Sequence, residues 1–586
     1  MRVKSYLPAL VCALTPILCY LLVRPFAEIG IDDDWSYVKT AQVFAQTGKF
    51  AYFGLISPML GWHVQLGALF IKLFGFSFTV VRLSTLIEAV LTAFLLQRTF
   101  VRAGMNAWNG TLATVAFVLS PLFLPLSFTF MSDVPGVLCI VVCLYMCLRA
   151  LGAENEGYAM TWISLAALLN AVGGTARQFA WLGLLVMVPA TLWLLRRNRR
   201  VLVVGCLSCI AGVGIVAGAI HWFAQQPYAF PESPIPGRMD LKSLRDAGEA
   251  GVRLAGELAL LALPVSLMFV GSLRALNRRL AVVIAAVFFC FTLSGIVLIE
   301  AGRMHHWLAP FYGGSMTDPA FERLDAIVTG GAHLAIARLR FRFFLTAATM
   351  AGVLSFAAQF LPGASGRPES QRKAGPISWK KLGVLLGPFS AAYIILLVSI
   401  ALRRELYDRY LLPLLAVLLL ALTCCYQQKV REKLPLAGVL LIAIFGAFSV
   451  AATHDRFALY RGYASAIDEI RASGIPATSI VGPLEFMEWT EVEEVGHIND
   501  SGISNRNGAY VPRPARVFPA SCGDDWFLEW AAFLDRAPEI KPAYATSLDP
   551  GLCGGYVAFP PVTYRAWIAP HTNLIYAVRL PASFRH

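Results

Sequence analysis

Apolar runs of about 17–22 residues, the length that crosses a bilayer core, recur along nearly the whole chain and are separated by short polar links. They predict about thirteen membrane spans. The first six run approximately Tyr6–Val23, Thr79–Leu96, Ala107–Leu124, Pro135–Leu151, Tyr158–Ala171 and Phe179–Leu195. Then come Val201–Trp222, Leu254–Leu273, Leu280–Ile299, Phe343–Leu361, Leu382–Leu402, Tyr410–Tyr426 and Leu434–Val450. The first run is long for a cleaved leader, and no clear small-residue cleavage site follows it, so it reads as a retained helix. Beyond about Thr453 the pattern changes. The remaining stretch to His586 has weak apolar periodicity, many Gly and Pro residues and several acids. It predicts a small α/β unit with a helix near Tyr463–Ala472. The chain thus divides into a mainly α membrane part, residues 1–452, and a tail, residues 453–586.

Charge orients the spans. With the N-terminus in the cytoplasm, strict alternation puts every short basic link on one side: Arg98 and Arg102, Arg149, the Arg196–Arg200 cluster, and Arg274 to Arg279. The links at 367–381 and 429–433 fall on that side too, as positive-inside topology requires. The loop at 24–78 and the tail then face away from the cytoplasm. So do the Pro-rich loop from Phe223 to Arg253 and the loop from Glu300 to Arg342. The expected location is the inner (plasma) membrane, crossed many times.

Composition agrees with this reading: 57% of the 586 residues are hydrophobic and only 15% charged, against about 25% charged in soluble domains. The net charge of +13 sits in membrane links, and no basic and aromatic run resembles a nucleic-acid surface. Ten of the twelve cysteines lie in apolar segments, where they act as small hydrophobes. Cys522 and Cys553 are the exceptions; in a tail outside the cytoplasm they can pair as a disulfide or stay free.

Candidate chemistry gathers on the predicted outer side. Asp32, Asp33 and Asp34 stand behind the first span, and a solvated loop or a catalytic acid would both fit there. Asp33 and Tyr37 are spaced to share a helix face. Asp133 opens the fourth span before Pro135, where an N-cap is the structural alternative. Arg177 and Gln178 lie in the hairpin between spans five and six. Asp408, Arg409 and Tyr410 precede span twelve, where Asp408 and Arg409 can form an ion pair or meet substrate. Arg82 and Arg303 are further phosphate candidates, since guanidinium binds phosphate oxygens in pairs. His305 and His306 read as interfacial residues rather than a metal pair. No nucleotide-binding loop, serine-hydrolase elbow, zinc-protease pair or dinucleotide fingerprint occurs.

In order, Asp33-Asp34-Trp35-Ser36-Tyr37, Ser132-Asp133-Val134-Pro135, Thr175-Ala176-Arg177-Gln178, Tyr407-Asp408-Arg409-Tyr410 and Thr453-His454-Asp455 resemble GT-C glycosyltransferases. The similarity is to bacterial relatives of protein O-mannosyltransferases and of the lipid A aminoarabinose transferase, and it covers about Met1 to Arg471. It implies a GT-C helical bundle and an inverting transferase that takes a sugar from a polyprenyl-phosphate carrier. The acceptor would be a glycan, lipid or protein, and membrane lipids would surround the bundle. The first acid of the family's D-[DE]-x-x-Y motif falls on Asp33, the expected base. Asp34 and Asp133 would position the acceptor or a divalent cation. Where aminoarabinose-type relatives carry a lysine that contacts phosphate, this chain has Ile56-Ser57-Pro58-Met59. Phosphate binding is therefore expected at Arg177, Arg303 or Arg409. A transporter or flippase is the rival class. It should carry ionisable residues near mid-span, where Glu88 is the main acid. A catalytically silent relative is a third.

Overall fold

The computed structural model describes residues 6–54, 56–230, 240–275, 278–300, 339–361, 377–403, 406–503, 510–513, 522, 533–568 and 572–582. Arg303, His305 and His306 lie outside the described residues, as does most of the loop from Glu300 to Arg342.

A polytopic helical bundle forms the membrane part. Among the described residues eight helices are long and apolar enough to cross a bilayer, and a ninth span forms if one bent pair is counted. Phe78–Arg102, Asp133–Leu151, Arg199–Ala224, Trp379–Leu402 and Asp408–Lys429 match predicted spans closely. Three predicted spans differ. Helix Ala107–Val118 has only 12 residues, because Pro121 disfavours helical backbone at Ser120. The predicted span Leu254–Leu273 is the second half of a helix that begins at Leu241; it bends by 58° before Leu263, next to Pro264. The last span does not stop at Val450. One helix runs from Leu436 to Ala472, 37 residues, or about 55 Å, so the boundary at 452/453 falls inside it.

The two ends of the bundle are chemically distinct. At one end the Asn106 backbone N–H donates to Gln427 Oε1 at 2.9 Å, and its side-chain amide donates to the Glu432 carbonyl at 2.6 Å. Lys429 reaches the Gln359 carbonyl at 2.7 Å. The polar links around Asn106, Trp379 and residues 427–432 meet there. At the other end stand the acids of the first loop and the tail. Between them the predicted mid-span acid, Glu88, is paired: its Oε1 lies 2.9 Å from His63 Nδ1, and both side chains are buried. The His63 ring stacks on Phe130 at 4.0 Å.

The tail is built on a five-stranded sheet in the order β1-β2-β5-β3, with β4 also on β5. Its strands are β1 (Ile480–Val481), β2 (Tyr544–Ser547), β3 (Tyr556–Val557), β4 (Val562–Arg565) and β5 (Thr572–Arg579). β1 and β2 are parallel and the other pairs antiparallel. Cys522 and Cys553 are disulfide-bonded within this unit. Tyr564 and Ile575 of the sheet pack on Ala458, Leu459 and Tyr463 of the long helix. Gly462 permits the close approach: a Cβ there would stand 2.6 Å from Ile575 Cδ1. Asp455 adds a polar tie by accepting the backbone N–H groups of Trp567 at 2.7 Å and Ile568 at 3.0 Å.

Ile575 is fully buried in this seam. Truncating it to Ala is expected to cost about 2–5 kcal/mol, read as a lowered melting temperature of the purified chain. An unchanged melting temperature would contradict the packing described.

Candidate active site

The loop Ala27–Asp34 leaves the first helix and turns into helix Asp34–Thr47. Its conformation is imposed from both sides. On the membrane side Arg82 donates to the carbonyls of Ala27 and Ile29, both at 2.7 Å. The same guanidinium grips Asp34, Nε to Oδ2 at 2.7 Å and Nη2 to Oδ1 at 3.1 Å. Asp34 also accepts the backbone N–H of Ile31 at 2.7 Å and that of Phe130 at 3.3 Å. Both carboxylate oxygens are thus engaged twice, and both side chains are buried. Asp34 orients the loop and offers no lone pair to an acceptor or a cation. Arg82 likewise directs its guanidinium nitrogens to the loop.

On the tail side Asp32 adopts a left-handed conformation, φ +53°, uncommon for any residue with a Cβ. Its backbone N–H donates to Glu485 Oε1 at 2.9 Å, and its carboxylate pairs with Arg456. Tyr460 donates to the same Glu485 oxygen at 2.9 Å. Gly30 lets the two segments touch, since a Cβ there would lie 2.8 Å from Glu485 Cβ. Arg456, Tyr460 and Glu485 escaped the sequence reading. The available signal was acids on the otherwise apolar face of helix Leu484–Val495 and the i, i+4 spacing of Arg456 and Tyr460 on one helix.

Held this way, Asp33 joins Arg409, Arg177 and Asp133 in a cluster of charged side chains drawn from four elements. Arg409 Nη2 lies 3.2 Å from Asp33 Oδ2, and the Asp33 side chain is 37% accessible. Burial raises its carboxyl above the usual range; Arg409 and Arg177 oppose that, and Asp32 adds to it. Tyr37 is buried beside Asp33, Asp133 and the two arginines, and burial pushes its phenol up. Asp133 is buried with no hydrogen-bond partner on either oxygen among the described residues. Its nearest cation is Arg177, at 4.0 Å. The capping alternative for Asp133 fails, because the side chain makes no cap hydrogen bond and Ser132 holds the N-cap position. Arg177 and Arg409 lie over the same Tyr410 ring, at 5.4 and 5.7 Å from its centroid. Asp408 is buried and accepts the Arg409 backbone N–H at 2.7 Å. That bond shapes the turn that presents Arg409.

Arg177 and Tyr410 continue into a cavity of about 370 Å³. Gln178, Ser57 and Arg403 supply its other polar wall; Phe179, Trp181, Ile220 and Leu396 are among its apolar residues. Gln178 is oriented by the Ser57 carbonyl at 2.9 Å. Arg403 belongs to this wall although the sequence reading did not select it. Among the described residues no three His, Cys, Asp or Glu side chains gather in a group able to hold a metal. With Asp34 saturated, the described residues do not fit a divalent ion at this position.

Residues 56–222 match the family of dolichyl-phosphate-mannose-protein mannosyltransferases. The match covers less than a third of the chain, which is similar to that family over this segment. The matched segment contains Arg82, Asp133, Arg177 and Gln178. No curated protein matches the chain by sequence. Among solved structures, apo ArnT from Cupriavidus metallidurans is similar at 12% identity over 85% of each chain, with a TM-score of 0.37. ArnT bound to undecaprenyl phosphate gives 13% identity over the whole of both chains and a TM-score of 0.36. The archaeal oligosaccharyltransferase AglB from Archaeoglobus fulgidus, in complex with an inhibitory peptide and a dolichol-phosphate, gives 13% identity and a TM-score of 0.40. That likeness covers 92% of this chain and 65% of AglB. Scores this low carry no argument about what the chain does.

Two outcomes test the frame around Asp33. Arg82→Ala removes one partner of a buried ion pair and is expected to cost about 3–5 kcal/mol, with transfer lost and a clearly lowered melting temperature; a wild-type melt would contradict the clamp. Glu485 and Glu488 are pushed up to about 8 and Glu491 to about 7, in each case chiefly by burial. Glu485 faces Asp32, Arg456 and Tyr460, and Glu488 faces Arg536, Glu485 and Asp33. The folded tail holds these protons more tightly than the unfolded chain, so its stability falls as pH rises from the ordinary glutamate value of 4.5 to about 8 and levels off above that. Melting temperature should drop across that range, and Glu488→Gln should flatten the slope.

Proposed function

We propose that the protein transfers a sugar from a polyprenyl-phosphate carrier to an acceptor hydroxyl on the extracytoplasmic face, with inversion at the anomeric carbon. The observation that carries this reading is the juxtaposition of one accessible carboxylate, Asp33, with Arg409 and Arg177 beside an amphipathic cavity. Apolar walls suit an isoprenoid, and the guanidinium groups suit its phosphate. Four helical segments also begin at this level, at Asp34, Asp133, Gln178 and Asp408. Their N-terminal dipoles favour an anion.

The chemistry follows from the charges. Asp33 takes the proton of the acceptor hydroxyl as its oxygen attacks the anomeric carbon. The bond from that carbon to the phosphate oxygen breaks, and the phosphate leaves with the electron pair. Arg177 and Arg409 neutralise the charge that develops there. A base with a raised pKa gives up little driving force near neutral pH. Asp133, with two free oxygens, is placed to receive hydroxyl groups of the sugar or acceptor. The paired state of Glu88 speaks against a charged transport path through mid-membrane. Assignment of the active side to the extracytoplasmic face rests on the distribution of basic links.

Asp33→Asn is expected to lower transfer from a polyprenyl-phosphate sugar by about 10²–10⁴-fold, with an unchanged melting temperature. Near-normal transfer by a folded Asp33→Asn protein would remove Asp33 from the base role.

A further inference from the structure

A second cationic cavity lies away from Asp33. It has a volume of about 790 Å³ and is bounded by the outer end of helix Leu7–Val23, the long helix at His454–Ser465, and β4 of the tail. Arg24, Arg461 and Arg565 line it from those three elements. Among the described residues none of the three forms an ion pair with a carboxylate. Arg461 Nη1 donates to the Arg24 carbonyl at 2.7 Å, which fixes two of the arginines together. His454 closes the wall, stacked on Trp567 at 3.8 Å. The nearby Asp455 does not offset this charge, since it serves His454 and two backbone N–H groups.

The cavity opens where an apolar track ends. Leu7, Leu10, Leu14, Leu18 and Leu21 are all exposed, at 46–63%, and their spacing of three and four residues makes one stripe along the helix. In a bilayer this stripe faces hydrocarbon. It leads directly to Leu21 and Leu22 in the cavity wall. Uncompensated arginines at the end of a lipid-facing stripe match a molecule with an acyl chain and an anionic head. A free anion would use the arginines but leave the stripe without a role. A merely snorkelling arginine would not require three guanidinium groups drawn from three separate elements around one cavity.

We propose that this cavity is a binding site for the phosphate head of an anionic membrane phospholipid, with its acyl chains along the leucine stripe, and that the bound lipid joins the tail to the bundle. The long helix separates the site from the Asp33 cluster: Arg456 and Tyr460 face the Asp32 loop, while Ala458, Arg461 and Ser465 face the cavity.

The full chain, exchanged into vesicles of equal dioleoylphosphatidylglycerol and dioleoylphosphatidylcholine and then re-extracted, should retain the anionic phosphatidylglycerol preferentially. Arg24 and Arg565 are exposed, so the double variant Arg24→Gln, Arg565→Gln should fold and lose roughly tenfold or more of that retention. Replacement of both by Lys should restore most of it. Equal retention by wild type and the Gln variant overturns the proposal. Loss of the lipid in Arg177→Gln, with retention kept in the double variant, would place it in the donor cavity and overturn it too. Stripping of the lipid by millimolar inorganic phosphate would mean that the site takes phosphate alone, and would also overturn it.

Discussion

The Asp34–Arg82 clamp is the constraint on which the rest depends. One guanidinium satisfies two backbone carbonyls and one carboxylate, and that carboxylate satisfies two backbone N–H groups. A buried ion pair of this kind contributes specificity more than stability, because desolvation offsets most of the attraction. Here the specificity is the path of the loop. The clamp fixes Asp34 inward, while its neighbour Asp33 turns to Arg409 instead. Three adjacent acids thereby differ in their partners: Asp34 anchors inward, Asp32 anchors to the tail, and Asp33 pairs with Arg409 while staying the most accessible of the three.

The tail is part of that constraint and not an appendage. Glu485 and Arg456 hold Asp32 in a left-handed turn that its own backbone disfavours. The long helix Leu436–Ala472 carries Arg456 from the membrane part to the loop without a break. Burial of three acids on one tail helix makes this support sensitive to pH, whereas the membrane-side clamp is made of groups fully paired with each other. The charges around Asp33 are arranged differently again. Asp133 keeps both oxygens without hydrogen bonds and Arg177 sits 4.0 Å away, an arrangement that leaves polar capacity for a bound molecule.

Much of the fold was legible because a bilayer imposes length and apolarity on every crossing helix. Spans such as Asp133–Leu151 and Arg199–Ala224 could hardly be read otherwise. Misplaced ends have local causes that hydropathy does not register: Pro121 shortening one helix, Pro264 beside a bend, and a helix continuing past Val450 because its outer half packs on a sheet. In the site, Asp33, Asp133, Arg177 and Arg409 came from motif order and do stand together. Arg82 and Asp34 pair with each other, a contact between residues 48 positions apart that charge alone does not reveal. Glu485, Arg456 and Arg403 were missed because their importance arises only from contacts distant in sequence.

The most direct test of the central claim uses position 33 as a reporter of where the loop points. Asp33→Cys and Gln178→Cys proteins would be treated in sealed cells or right-side-out vesicles with a membrane-impermeant thiol reagent. The account predicts labelling of both from the extracytoplasmic side and protection of both by a polyprenyl phosphate. Labelling of residue 33 only after the cytoplasmic side is opened, or labelling that the lipid phosphate leaves untouched at both positions, would contradict it.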